Sequence, residues 1–138
     1  MSNKKQMQQQ LNRFYSTDTP SKEIAKVIGI NKVEFIQWIN KHFIEEMDRS
    51  NYGTVWQLDH VVPIHMFNLS KVDDMALCFH HMNIIPLLNK DNKFKGASVH
   101  FSLHILNKRL IDNPDNKELL RLISLCNEEV NTRWNKYM

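Results

Sequence analysis

Two stretches of the 138-residue chain read as β-strand: Trp56 to Val62, closed by Pro63, and Asn83 to Pro86. Both are short apolar runs bounded by turn residues or proline, the pattern a strand leaves in a sequence. Most of the remaining chain carries helical spacing. A lone strand pair is marginal in water until helices cover it. The expectation is therefore a single α+β domain in which one small sheet is set among helices. With 42% hydrophobic residues, the chain can build one modest core.

The helical punctuation is clear in several places. Thr19 and Pro20 make a cap and first-turn pair, after which Ile24, Val27 and Ile28 share a face until Gly29 stops the run. Asn31, with Glu34 three residues on, caps a second helix in which Phe35, Ile36, Ile39, Phe43 and Met47 recur up to about Asp48. Asn51, Tyr52 and Gly53 form a turn, and Ser70, with Asp73 at the acceptor position, caps a short helix to Phe79. After the second strand, Asn89 or Asp91 caps a helix carrying Asn92 and Lys95. Leu103, Leu106 and Leu110 mark another helical stretch, and a final one runs from about Pro114 through Leu119, Leu122, Ile123, Val130 and Trp134. Residues 1–18 are polar and form a flexible or helical segment in which nothing demands a packed position. The domain is expected over 19–138, with a core at 55–97 and a helical extension at 98–138.

Charge and cysteine usage narrow the setting. The net charge of +3 is spread along the chain and favours an anionic partner only weakly. Cys78 and Cys126 lie far apart and in no Cys-x-x-Cys pair, so neither a disulfide framework nor a cysteine zinc site is expected, and a reducing compartment fits. No apolar run approaches the roughly 20 residues of a membrane span, and the N-terminus lacks an apolar signal core. A soluble, cytoplasmic protein without a membrane partner is the expectation.

The chemistry concentrates between Leu58 and Lys95. Asp59 is a hard anionic oxygen donor of the kind magnesium prefers, and His60 is an imidazole, a group that titrates at about 6.5 when unperturbed. Neighbours on a strand point to opposite sides, which lets one reach a metal while the other approaches water. Around this pair stand Pro63, then Asn83 opening the second apolar run, then Asn92 nine positions later and Lys95 three beyond that. This set resembles the HNH endonuclease family in its HNN variant, with Asn92 at the third position. The likeness extends over roughly residues 27 to 97, through Ile28 to Phe43, the Asn51-Tyr52-Gly53 turn, Trp56 and Phe67 to Leu69. It looks like the phage-type or large-virus arrangement.

The resemblance implies a ββα-metal core with flanking helices. It further implies one divalent cation, Mg2+ or Mn2+, held by Asp59 and Asn92, with water activated by His60 and His60 oriented by Asn83. Leu88 and Asp91 stand where many relatives carry zinc-ribbon cysteines, so no structural zinc is expected. DNA is the implied partner, cut by hydrolysis of a phosphodiester bond, and a homodimer would allow both strands to be cut. Lys90, Lys93 and Lys95, with Arg109 farther on, are candidates for contacts to backbone phosphates, Lys95 foremost because the family pattern includes it.

Rival readings rest on the same residues. The helix, Gly29, helix arrangement from Glu23 to Asn40 also resembles a helix-turn-helix, which would make the chain a non-catalytic DNA-binding module. Its second helix, however, is rich in large apolar residues and offers no base-reading face. A structural or interaction protein is a third reading, opposed by the complete motif. His65, His80, His81, His100 and His104 have no third ligand at recognisable spacing and read as surface or core residues, His81 being the least clear. Trp38, Trp56 and Trp134 sit at core spacing and read as packing rather than as stacking platforms.

Overall fold

The computed structural model describes residues 4–17, 22–91 and 99–135. Helices α1 (Lys4–Ser16), α2 (Lys22–Ile28) and α3 (Lys32–Asn40) lead into strand β1 (Trp56–His60). Helix α4 (Val72–Phe79) follows, then β2 (Ile84–Leu88), α5 (Val99–Asp112) and α6 (Lys117–Asn135). Among the described residues the strands form one two-stranded antiparallel sheet, so the mixed α and β class holds. No helix of the described residues is long and apolar enough to cross a membrane.

Helix α1 departs from the sequence reading. Met7, Leu11, Phe14 and Tyr15 are all buried, a stripe spaced at four, three and one residues that the surrounding glutamines and lysines disguise. Tyr15 meets Phe35, Tyr52 and Trp56 edge-on with ring centroids 6.4, 5.2 and 5.4 Å away. Its hydroxyl donates to Asn40 Oδ1 at 3.1 Å. The segment is therefore packed into the core and not frayed.

The Asn31–Glu34 capping box forms as its spacing predicts, with Glu34 N donating to Asn31 Oδ1 at 2.9 Å and Asn31 N to Glu34 Oε1 at 3.4 Å. Helix α3 stops at Asn40, well short of Asp48. His42 explains the early end. Its ring Nδ1 bonds the Trp38 carbonyl at 2.6 Å while its backbone N–H goes to Ile39 O, so the helical ladder is broken there. Glu45, at φ 49, completes the break. Phe43 still reaches the core, its ring centroid 5.1 Å from that of Trp56. The Thr19 and Pro20 cap, the side chain of Trp134 and residues 92–98 lie outside the described residues.

Three further caps are placed differently from expectation. Lys71, not Ser70, occupies the cap of α4, because Ser70 is drawn into a turn on Asn68. Helix α6 starts at Lys117 with Asn116 accepting from Leu119 N at 2.9 Å, three residues beyond Pro114. Asn89 and Asp91 are both already helical. Asn89 instead extends the sheet, its backbone N–H donating to Val55 O and its amide to Thr54 O, both at 2.9 Å.

The strands pair with Trp56 opposite Leu88 and His60 opposite Ile84. Trp56, Leu58 and His60 are buried, and Gln57 and Asp59 point the other way. The bonds Val61 N to Asn83 O and Asn89 N to Val55 O fix the ladder phase: the odd-numbered residues of β1 carry the interstrand bonds. Pro86, opposite Leu58, therefore turns its donorless nitrogen away from β1 and costs no ladder bond.

Helix α2 ends at Gly29, whose φ of +90 suits the left-handed stop that glycine provides. A Cβ there would stand 2.6 Å from His80 Nε2. His80 stacks on His81 with centroids 4.3 Å apart and lies 3.9 Å from Glu118. Burial pushes the His80 ring down to about 4, the His81 ring beside it acting in the same direction and Glu118 opposing. His42 is likewise held at about 4, by burial first and then by Arg109 and Lys41, against its bond to the Trp38 carbonyl.

Gly29→Ala is expected to cost ~2–4 kcal/mol, read from the urea midpoint, through the combined backbone strain and collision with His80. Because the folded values of His80 and His42 lie below the unfolded value of 6.5, the unfolded chain takes up protons first on acidification. Their contribution to stability is thus full above pH 6.5 and is lost as the pH falls towards 4. His80→Asn, which keeps an acceptor for the Met82 N–H, is expected to flatten that part of the midpoint-against-pH profile. An unchanged slope would remove His80 as a source.

Candidate functional site

Asp59 and His60 close β1 and lie on opposite faces of the sheet. Asp59 is half-buried, and its Oδ1 accepts the backbone N–H of His60 at 2.7 Å, which bends the carboxylate back over the strand end. His60 is 3% exposed and meets Phe79 of α4 edge-on at 4.8 Å between centroids, a contact that fixes the plane of the imidazole.

Asn83 holds this strand end in place, acting on the backbone. Its side chain accepts from Val62 N at 2.8 Å and donates to Val62 O at 3.2 Å and Cys78 O at 2.9 Å. Its own carbonyl accepts from Val61 N at 2.7 Å, and its N–H donates to His80 O. The residue is 0% exposed, with its side-chain amide spent on the chain immediately after His60 and on the end of α4. Any orienting of His60 by Asn83 therefore runs through the main chain.

The expected metal ligands are only half described. Asp59 fits a hard divalent cation: it is an anionic oxygen donor at a strand end, with one oxygen engaged by a backbone N–H. Asn92, Lys93 and Lys95 lie outside the described residues, which stop one position short, at Asp91. The helical backbone over residues 89–91 begins directly after β2, giving the order strand, strand, helix. Among the described residues no three His, Cys, Asp or Glu side chains gather as a metal site. His100 and His104 are exposed on α5, and His81 is buried with its Nδ1 2.7 Å from Ile28 O.

Of the basic candidates, Lys90 and Arg109 fall among the described residues. Lys90 ion-pairs with Glu45 at 3.1 Å and Glu46 at 3.8 Å, so its charge is largely answered within the protein. Arg109 is no phosphate contact. It is 6% exposed, donates to Met82 O at 2.6 Å and Ile84 O at 2.9 Å, and lies 5.1 Å from the Trp38 ring centroid. Burial lowers its guanidinium to about 10, which leaves it cationic at neutral pH. Helical spacing could have shown this, because Ser102, Leu106 and Arg109 share the buried face of α5. Sequence reasoning also missed Ser102, whose hydroxyl donates to Val61 O at 2.6 Å and braces the same strand end. Trp38 and Trp56, 9% and 0% exposed, are packing residues as expected.

Removing the asparagine amide tests this bracing. Asn83→Ala would leave the Val62 N–H and the Cys78 carbonyl buried without those partners, and is expected to lower stability by ~3–5 kcal/mol in urea unfolding. A loss below ~1 kcal/mol would mean that the strand end is held by the backbone bonds and Ser102 alone.

Comparison with known proteins gives relatives without a described activity. No family model matches the chain, and no solved structure matches it. Two uncharacterized proteins of Acanthamoeba polyphaga mimivirus are similar to it. One is 34% identical over 79 residues, covering 57% of this chain and 35% of the relative. The other is 32% identical over 78 residues, covering 55% and 34%. The chain spans about a third of the length of these curated relatives, and what it resembles by sequence is a pair of proteins of a large virus.

Proposed function

We propose that the protein is a metal-dependent endonuclease of the HNH type that hydrolyses phosphodiester bonds in DNA. The observation that carries the reading is the end of β1. There a carboxylate and an imidazole are consecutive and lie on opposite faces of an antiparallel pair, Asn83 holds the chain just beyond them, and helical backbone follows β2 at once. Hydrolysis of a phosphodiester asks for a charge-neutralising group, a base and rigid alignment, and these residue types supply them in one segment.

In this reading His60 takes a proton from water, the hydroxide oxygen bonds to phosphorus in line, and the opposite phosphorus–oxygen bond breaks. The leaving oxygen then takes a proton from solvent. Asp59, with Asn92, would hold a divalent cation, which when bound neutralises charge on the phosphate and leaving oxygens. Asn83 and Ser102 are positioning residues, keeping the backbone around Val61 and Val62 still while the proton moves. Since His60 is only 3% exposed, the reading requires DNA binding to uncover the substrate side of its ring. One such site cuts one strand, so a monomer nicks duplex DNA and a double-strand break needs two copies or two events.

The alternative DNA-binding module loses ground because Phe35, Trp38 and Ile39 of α3, the helix that would read bases, are buried in the core. Conversion of supercoiled plasmid to nicked circles in Mg2+ or Mn2+ separates the readings. Cutting is expected to stop with a chelator and to fall by about 100-fold or more in His60→Ala. Cutting that survives chelation or equals wild type in His60→Ala sinks the nuclease mechanism, and DNA binding without cutting in any metal favours the module.

A further inference from the structure

A cavity of about 630 Å³ opens beside the sheet, on the face that carries Ile85 and Leu87. Ile85 is the direct cross-strand partner of Asp59, and directly paired residues share a face, so the cavity opens on the same sheet face as the carboxylate assigned to the metal. Its volume is that of a small-ligand site, and such sites are apolar with a few convergent polar groups. Phe43 and Ile105 contribute apolar wall. Lys41 and Lys108, both exposed, stand at the rim together with the carboxylates of Asp91 and Asp112. Arg109 lines the cavity too, and its buried Nε–H finds no acceptor among the described residues, although both terminal nitrogens are satisfied by carbonyls. A buried cationic donor without an acceptor is costly and points to a partner that arrives from outside.

We propose that this cavity receives one unpaired nucleobase next to the phosphate being cut, so that DNA with an extruded base is preferred over perfectly paired duplex. The inference rests on the nuclease reading for the position of the cut, but the preference is a binding property measurable on its own. A base matches the chemistry of the site. Its flat faces suit the apolar walls, its carbonyl oxygens can accept from Arg109, and its amino groups can donate to Asp91 or Asp112. The phosphates on either side of it meet Lys41 and Lys108. A purely apolar occupant would leave the Arg109 donor unanswered.

The test compares a fluorescent duplex carrying a single unpaired adenine with the same duplex fully paired, by anisotropy in chelator. Wild type is expected to bind the bulged duplex about tenfold tighter, the order of one stacked base. Ile105→Trp, which fills the cavity, should abolish the difference while leaving paired-duplex affinity unchanged. Equal affinities for the two duplexes overturn the proposal, as does a preference that Ile105→Trp leaves intact. A second measurement covers the case in which that variant does not fold: 2-aminopurine at the unpaired position should lose fluorescence on binding wild type, and an unchanged signal overturns the proposal. Equal binding with intact metal-dependent cutting would reject the cavity and leave the nuclease reading standing. A bulge preference without cutting in any metal would support the cavity and reject the nuclease reading.

Discussion

The arrangement depends on a single buried amide. Asn83 joins three pieces of chain that would otherwise be independent: the exit of β1, the end of α4 and the entrance of β2. Inside a protein such bonds are stronger than in water, and failing to make them is expensive. The surrounding groups repeat the theme. Arg109 takes the carbonyls on both sides of Asn83, and Ser102 takes that of Val61, so α5 is fastened to the same point through hydrogen bonds as well as apolar contact. The strand end bearing Asp59 and His60 is thereby fixed from the backbone outward.

Basic residues divide into classes that net charge alone conceals. Arg109 serves the interior, Lys90 is answered by two glutamates, and Lys41 lies 4.4 Å from the Trp38 ring centroid at the rim of the cavity. Lys41 and Lys108 stay exposed beside the cavity, while Lys4, Lys26, Lys71 and Arg121 are exposed on other elements. Local placement therefore carries more information about a partner than the overall +3 does.

Much of the fold was legible where local signals and tertiary needs agreed. The two strands, the Asn31–Glu34 box and the Gly29 stop each rest on a stereochemical requirement that few residues meet. Helix α1 was harder to read because polar residues on three sides hide four buried ones, and the true extent of α3 because His42 competes with the backbone for a carbonyl two turns after the cap. At the site, the pairing of Asp59 and His60 could be read from strand alternation. The burial of His60 against Phe79 and the inward course of Arg109 depend on helices distant in sequence, and only the second leaves a trace, in the spacing of α5.

The sheet has two strands and hence two open edges, the usual templates for unwanted pairing. Here several outward groups are already taken. On β1, Trp56 O accepts from Gly53 N, and the outward N–H of His60 is held by Asp59. On β2, Ile84 O is held by Arg109, and Pro86 offers no donor at all. An incoming strand would find no unbroken row of donors and acceptors on either side. The contacts that steady the site thus also guard the sheet against growth into aggregates, and a chain released at high concentration keeps its two strands to itself.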